Sequence, residues 1–190
     1  MSVPGKGSGA AGAEELLELL RTGWEVEAQE VAVLPGDVDR NLRVRDVRGR
    51  DSLLKVAAPG TDPARWDAQA AALDHLATRL PEGTVPRVLA TPEGRPFLRA
   101  RVAGEERLVR RLSWLEGTLL PESAPHGPRL FRSWGELLGR VDAALEGFGH
   151  PAARRREDPW DPARADWAVE EVASGGVWST GAGEAPDPHL

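Results

Sequence analysis

The sequence predicts an α+β fold in which five antiparallel strands form one sheet, one helix packs on that sheet, and a helical region follows. Short runs of apolar or alternating residues, separated by turn formers such as Pro35-Gly36-Asp37, indicate the strands. The predicted strands lie at 26–34, 42–45, 53–57, 96–102 and 107–114. The first three follow each other closely along the chain, which is typical of an antiparallel meander.

Three segments have the apolar spacing of amphipathic helices. Glu14 to Arg21 predicts a short helix that ends near Gly23. The second begins after Thr61 or Asp62, either of which is a suitable N-cap. Its apolar face is formed by Trp66, Gln69/Ala70, Leu73, Leu76/Ala77 and Leu80. The third spans about 128–148 and opens with a proline, the residue favoured at the first helical position.

Composition predicts order in the middle of the chain and disorder at its two ends. The termini are rich in glycine, serine and proline, and a weak helix at 163–172 precedes the second of them. The predicted organisation is a disordered N-terminus, a sheet-containing lobe, a connector with a partial helical region, and a disordered tail. The corresponding ranges are 1–12, 13–117, 118–172 and 173–190.

Charge and cysteine content exclude several classes of function. The formal net charge is −6, which gives no overall basic field and argues against nucleic-acid binding. The chain has no cysteine, so disulfides and thiolate chemistry are excluded. No segment approaches the roughly 20 apolar residues that span a bilayer, and the first dozen residues lack a signal-peptide core. We therefore expect a cytoplasmic protein without membrane or nucleic-acid partners.

A glycine-containing loop and a lysine are the residues that point to chemistry. The loop, Leu34 to Asn41, joins the first two predicted strands, and Lys55 lies in the apolar third strand. Kinase-type folds hold ATP with this arrangement, because loop N–H groups cover the phosphates and a strand lysine contacts them. The residues alone also fit an ordinary hairpin turn, and an edge-strand lysine that limits aggregation.

The order of several motifs resembles the N-terminal lobe of the aminoglycoside phosphotransferase/choline kinase superfamily, which has a protein-kinase-like fold. These motifs are LPGDVDRNLRVRD, SLLKVA, WDAQAAALDHL, VPRVLATPEG and RLSWLEG. The chain is most similar to the hydroxylysine-kinase-like branch, on the Pro-Gly-x-x-Asp-Arg-Asn loop, the GFGHPA segment and Trp160-Asp161. The resemblance covers roughly residues 13–168 and implies a kinase-like N-lobe followed by the first helices of an incomplete C-lobe.

The resemblance implies an ATP site, with Mg-ATP as the cofactor of the family. The implied contacts are the phosphate loop (Gly36, Asp37, Asp39, Arg40, Asn41), the phosphate-contacting Lys55 and a hinge at 113–117 that reads adenine through Trp114 and Leu115. Family members pair that lysine with a helix glutamate, and the matching residue here is Gln69. Because glutamine carries no charge, Lys55 is either held less firmly or paired with Asp67. Gln69 also fits a polar helix face with no such role.

The catalytic loop of the superfamily, His-Gly-Asp-x-x-x-x-Asn, is not found in the sequence. It would supply a catalytic aspartate and metal ligands. The four histidines, at 75, 126, 150 and 189, are each followed by residues that do not fit it. The sequence therefore gives no candidate catalytic residue and no metal ligand.

Three functional hypotheses remain open at this stage. The first is a truncated small-molecule phosphotransferase whose parent enzyme acts on a hydroxyl of an amino compound such as hydroxylysine. The second is a non-catalytic scaffold remnant, either a pseudokinase lobe or the N-terminal piece of a larger fused enzyme. The third is an unrelated α+β binding domain, which would be favoured if the first three strands did not pair as a meander. The helix at 128–148 is also a candidate surface for self-association.

Overall fold

The computed structural model describes residues 7–36, 38–123 and 125–154. Asp37, Trp160-Asp161, the predicted helix at 163–172 and the predicted tail at 173–190 lie outside these residues. The chain divides into two compact units, residues 1–152 and 153–190, and the sheet with its helices belongs to the first.

Five antiparallel strands form one sheet in the order β1-β2-β3-β5-β4, which confirms the predicted fold class. The strands are β1 (Ala28–Leu34), β2 (Arg40–Asp46), β3 (Asp51–Val56), β4 (Leu98–Val102) and β5 (Glu105–Ser113). The first three pair as the predicted meander. Since β3 is the middle strand, Lys55 is not on an edge, and the interpretation of Lys55 as an edge-strand lysine is wrong.

The first helix, α1 (Gly7–Trp24), covers one face of the sheet. Its residues Leu16, Leu20 and Trp24 recur every four positions, so they lie on one side of the helix and are buried. Alternate strand residues complete this core: Leu42, Val44, Leu54, Val56, Val102 and Val109. The intervening strand residues point to the opposite face of the sheet, which α1 does not cover.

The second and third helices are α2 (Pro63–Ala77) and α3 (Pro128–Leu145). Asp62 is the N-cap of α2, because its side chain accepts a hydrogen bond of 2.9 Å from the N–H of Ala64. On α2 the buried residues are Trp66, Ala68, Ala70 and Leu76. The two helices touch where His75 Nε2 lies 3.0 Å from the carbonyl oxygen of Ala144.

Several element boundaries differ from the predicted ones, among them those of the first helix and of the last strand. The first helix begins at Gly7 and ends at Trp24, so it includes residues 7–12, which the sequence placed in a disordered segment. Alanines interrupt the glycines there and permit a helix that composition alone does not favour. The last strand begins at Glu105 rather than Arg107, because Ala103 and Gly104 both adopt positive φ and form a two-residue hairpin turn.

Helix α3 shows an apolar face to solvent. Phe131, Trp134 and Leu138 are each about half exposed, and among its described side chains only Ala144 is buried. Within the described residues, none of the helices combines the length and apolar character needed to cross a membrane.

The sheet core beneath α1 predicts a large cost for truncating its central leucine. Leu54 is fully buried, so Leu54→Ala removes contacts and leaves a cavity, and we expect a loss of about 2–5 kcal/mol in the free energy of unfolding. Val33→Ala is the matched control, because Val33 is 67% exposed on β1 and should cost less than about 1 kcal/mol. Urea denaturation followed by circular dichroism measures both. Equal losses would contradict this description of the core.

Candidate functional site

The pairing register of the middle strands places three polar residues in one row across the sheet. Asn41 on β2 lies opposite Lys55 on β3, and Lys55 lies opposite Arg110 on β5. Residues directly opposite each other in a sheet point to the same face. The row therefore lies on the face that α1 leaves free, and it brings together two residues predicted for the phosphate site and one that was not predicted.

The β1–β2 loop folds tightly against the first residues of β2. Asn41 Nδ2 donates a hydrogen bond of 3.3 Å to the carbonyl oxygen of Pro35. A Cβ atom at Gly36 would lie only 2.5 Å from Asn41 Nδ2 and 2.5 Å from the carbonyl oxygen of Asp39. Glycine is therefore the residue that fits at 36, because any side chain would force the loop apart.

Lys55 forms an ion pair with the loop rather than with a helix. Its Nζ atom lies 3.2 Å from Asp39 Oδ2, and both side chains are about four-fifths buried. This contact joins the loop to the middle strand and gives the ammonium group a carboxylate counter-charge. The carboxylate of Asp39 thus lies beside the ammonium group of Lys55.

The predicted partners of Lys55 on α2 bind other residues. Gln69 Oε1 accepts a hydrogen bond of 2.7 Å from Arg110 Nη2. Asp67 Oδ2 lies 3.3 Å from His150 Nε2. The expectation that Gln69 or Asp67 holds Lys55 is therefore not met in this structure, because α2 presents Gln69 to the neighbouring strand and Asp39 already pairs with the lysine.

Arg110 is a buried arginine, only 5% exposed. Its guanidinium carbon lies 4.4 Å from the centre of the Trp66 ring, a cation–π contact. Burial lowers the pKa of Arg110, and the charge of Asp39 acts in the opposite direction. Two of its nitrogen atoms, Nε and Nη1, are buried without a hydrogen-bond partner among the described residues. The same is true of Asn41 Oδ1.

The predicted hinge follows β5 at the other end of this face. Trp114 lies four residues beyond Arg110, which corresponds to about 13 Å along the strand direction. The guanidinium carbon of Arg43 lies 4.6 Å from the centre of the Trp114 ring. Leu115 is the next residue and is half-buried in irregular backbone. The face thus runs from the Lys55 row to the hinge.

Two arginines and an aspartate occupy the part of the face near the hinge. Arg45 donates two hydrogen bonds to Asp51, of 3.0 and 2.9 Å, and Arg43 pairs with the same carboxylate. Hydrogen bonds from Arg45 and Arg43 hold the pKa of Asp51 well below its usual range, against the opposing effect of burial. Glu30 and Ala32 complete the lining of a cavity of about 130 Å³ at this place.

The remaining predicted site residues are placed differently. Arg40 lies opposite Val56, whose side chain is in the α1 core, so the side chain of Arg40 points away from Lys55. Asp37 lies outside the described residues. Among the residues that the structure describes, no three histidine or carboxylate side chains are placed to hold a metal ion.

Sequence reasoning missed Arg110, although the sequence contains a signal for it. In β5, Leu108, Arg110 and Leu112 alternate with the residues of the other face, and the two leucines are buried. An arginine between two inward-facing leucines is an unusual place for a solvated charge. Trp66 was expected to pack in the interior, and it does so while also contacting this arginine.

The low pKa of Asp51 predicts acid sensitivity with a defined sign. In the unfolded chain the pKa of an aspartate is near 4, and in the folded protein the pKa of Asp51 is lower. The ionised carboxylate therefore stabilises the fold above pH 4. That contribution is lost as the pH falls below 4 towards the folded value. Asp51→Asn should therefore be less stable than the wild type at pH 7, and the difference should shrink as the pH falls. Melting temperatures from pH 7 to pH 3 test this, and a difference that does not change with pH would contradict it.

Known structures share this fold over most of the described chain. The amicoumacin kinase hAmiN, solved with AMP-PNP, Ca²⁺ and Ami, matches with a TM-score of 0.64 at 15% identity, over 77% of this chain and 44% of that one. A microcompartment-associated aminopropanol kinase matches with a TM-score of 0.60 at 21% identity, over 78% and 45%. This chain therefore spans less than half the length of either kinase. At these identities the likeness shows the fold.

The family follows from a match in sequence. No curated protein matches the chain. The profile of the phosphotransferase enzyme family (APH) matches residues 30–179, which include the loop, Lys55, α2 and the hinge. Since this match covers well over half of the 190 residues, the chain belongs to the phosphotransferase enzyme family.

Proposed function

We propose that this chain is a nucleotide-binding lobe of an ATP-dependent small-molecule phosphotransferase. The observation that carries the proposal is the position of Lys55 on the middle strand, beside a tight glycine loop and on the face of the sheet opposite α1. A lysine at this place meets the phosphates of a nucleotide from below while the loop covers them from above.

The shape and charge of the loop fit a phosphate group. Because Gly36 has no side chain, the loop packs closely against Asn41, which lies opposite Lys55 in the sheet. Lys55 supplies a positive charge that Asp39 neutralises when no ligand is bound. An incoming phosphate would replace the carboxylate of Asp39 at the ammonium group. A bound Mg²⁺ would supply neutralisation of phosphate charge, but the described residues contain no group of three carboxylate or histidine side chains placed to hold it.

The hinge would hold the base of the nucleotide. In this proposal the backbone of Trp114 and Leu115 reads the edge of adenine, while the side chain of Trp114 remains packed on Arg43. The Arg43–Asp51 pair lies between the hinge and the Lys55 row and forms part of the wall of the site. The nucleotide would therefore lie along the face that α1 leaves uncovered.

The acceptor is proposed to be a hydroxyl group of an amino compound such as hydroxylysine. The resemblance to the hydroxylysine-kinase-like branch supports this substrate class, and the name of one structural neighbour, aminopropanol kinase, agrees with it. Within the 190 residues there is no His-Gly-Asp-x-x-x-x-Asn segment. We therefore propose that these 190 residues transfer little phosphate by themselves.

A second candidate function is a scaffold without nucleotide binding. The observation that favours it is the ion pair between Lys55 and Asp39, which leaves the lysine satisfied without a ligand. The exposed face of α3, with Phe131, Trp134 and Leu138, favours self-association in either case. A cytoplasmic location remains an expectation from the sequence.

Nucleotide binding predicts thermal stabilisation that depends on Lys55. We expect millimolar ATP to raise the melting temperature of the wild-type chain, because a ligand that binds only the folded state stabilises it. Lys55→Ala should abolish most of this rise. Arg99→Ala is the control, because Arg99 pairs with Glu106 on the surface of the sheet and should keep the full rise. No stabilisation of the wild type by ATP would favour the scaffold function.

The missing catalytic loop predicts an inactive chain. In a coupled assay of ADP formation with a panel of amino alcohols and hydroxylysine, we expect turnover no higher than without an acceptor. The physical reason is that phosphoryl transfer needs a positioned base and metal-borne charge at the transferred group, and the sequence contains no loop that supplies them. Acceptor-dependent turnover well above this background would contradict the proposed loss of activity.

A further inference from the structure

The structure contains a second cation beside Lys55 that neither the family match nor the neighbours assign to a function. Arg110 lies directly opposite Lys55 on the adjacent strand and points to the same face of the sheet. Only 5% of its surface is exposed, and no carboxylate among the described residues lies within ion-pair distance of it. A buried charge without a counter-charge is costly, and proteins keep such groups where a partner completes them.

We propose that Arg110 is a second phosphate-binding cation of the site, positioned by Gln69 and Trp66 on α2 and directed at the phosphoryl group that Lys55 contacts. The inference rests on the proposed nucleotide binding and adds Arg110 to the residues that contact the phosphates. The ligand chemistry is that of a polyphosphate anion, the terminal phosphates of a nucleoside triphosphate.

The donor groups of Arg110 fit this role. One nitrogen, Nη2, donates to Gln69, and this bond fixes the orientation of the planar guanidinium. The Trp66 ring attracts the charge but offers no acceptor atom for an N–H group. Nε and Nη1 remain buried and without a partner. Nε and Nη1 lie on different edges of the guanidinium group, so each can donate one N–H group to a separate phosphate oxygen.

Asp39 shows where an anion sits in this cluster. Its carboxylate lies against Lys55, and its charge also acts on Arg110. Asp39 lies within ion-pair distance of Lys55, whereas its charge acts on Arg110 from a greater distance. A phosphoryl group carries more charge and more acceptor oxygens than a carboxylate, so it can satisfy both cations when Asp39 gives way.

The neutral side chain at 69 is what leaves Arg110 available. A glutamate there would form a full ion pair with Arg110 and compete with a bound anion. Gln69 instead orients the arginine by one hydrogen bond and leaves its charge uncompensated. Replacing this amide by a carboxylate should therefore stabilise the fold and weaken anion binding at the same time. Gln69→Glu should raise the melting temperature of the protein and weaken its binding of phosphate.

The experiment measures binding of tripolyphosphate and of ATP to the full chain by isothermal titration calorimetry at constant ionic strength. We expect Gln69→Glu to weaken binding of both ligands about tenfold while the melting temperature rises. Arg110→Met should weaken binding by a similar factor, and Arg110→Lys by less. The matched control is Arg111→Met, since Arg111 points to the other face and donates to Ser52; it should change affinity less than twofold.

The outcomes separate this inference from the proposed function. If Gln69→Glu binds tripolyphosphate as tightly as the wild type or more tightly, Arg110 is not a phosphate contact and the inference is overturned. Should Arg110→Met not fold, Gln69→Glu and Arg110→Lys still decide the question. If tripolyphosphate binding depends on Arg110 but ATP binds no more tightly than tripolyphosphate, the anion site is supported. The proposed nucleotide binding is then contradicted. Absence of binding to either ligand would overturn both.

Discussion

The register between β2, β3 and β5 is the constraint on which the site depends. It places Asn41, Lys55 and Arg110 in one row on the face that α1 does not cover. A slip of one residue would turn these polar side chains toward the apolar core under α1, so the packing of that core fixes the register. The same leucines and valines that hold the sheet to α1 therefore keep the cationic row on the opposite face. Fold stability and site geometry therefore both depend on the alternation of apolar and polar residues along these strands.

Charge balance within the row explains the contacts around it. Two cations on adjacent strands would repel each other, and the structure places one carboxylate, that of Asp39, 3.2 Å from Lys55 Nζ. Because Asp39 belongs to the glycine loop, loop position and charge neutralisation are coupled. Helix α2 contributes a neutral amide and an aromatic ring to Arg110 but no charge. The helix glutamate typical of kinase-like folds is thus replaced by a different arrangement, in which the loop holds the lysine and the helix holds the arginine.

The sequence was sufficient for the sheet, because each strand has the alternation or apolar run that a half-buried or central strand requires. It also singled out Lys55, since a lysine within an apolar strand stands out among 24 basic residues that are otherwise almost all arginine, and the role of Lys55 as a phosphate contact stays a prediction. The partners of Lys55 and Gln69 were not predictable by analogy. They depend on which side chains the register and the helix position bring within reach, and Arg110 is 41 residues from Gln69 along the chain.

The central claim is that this face of the sheet binds the phosphates of a nucleotide. The most direct measurement compares the affinities of the wild-type chain for ATP and for adenosine by isothermal titration calorimetry. If Lys55 and its neighbours contact the phosphates, ATP should bind at least about tenfold more tightly than adenosine, since charge-assisted hydrogen bonds are among the strong ones in proteins. Equal affinities for ATP and adenosine would contradict the account.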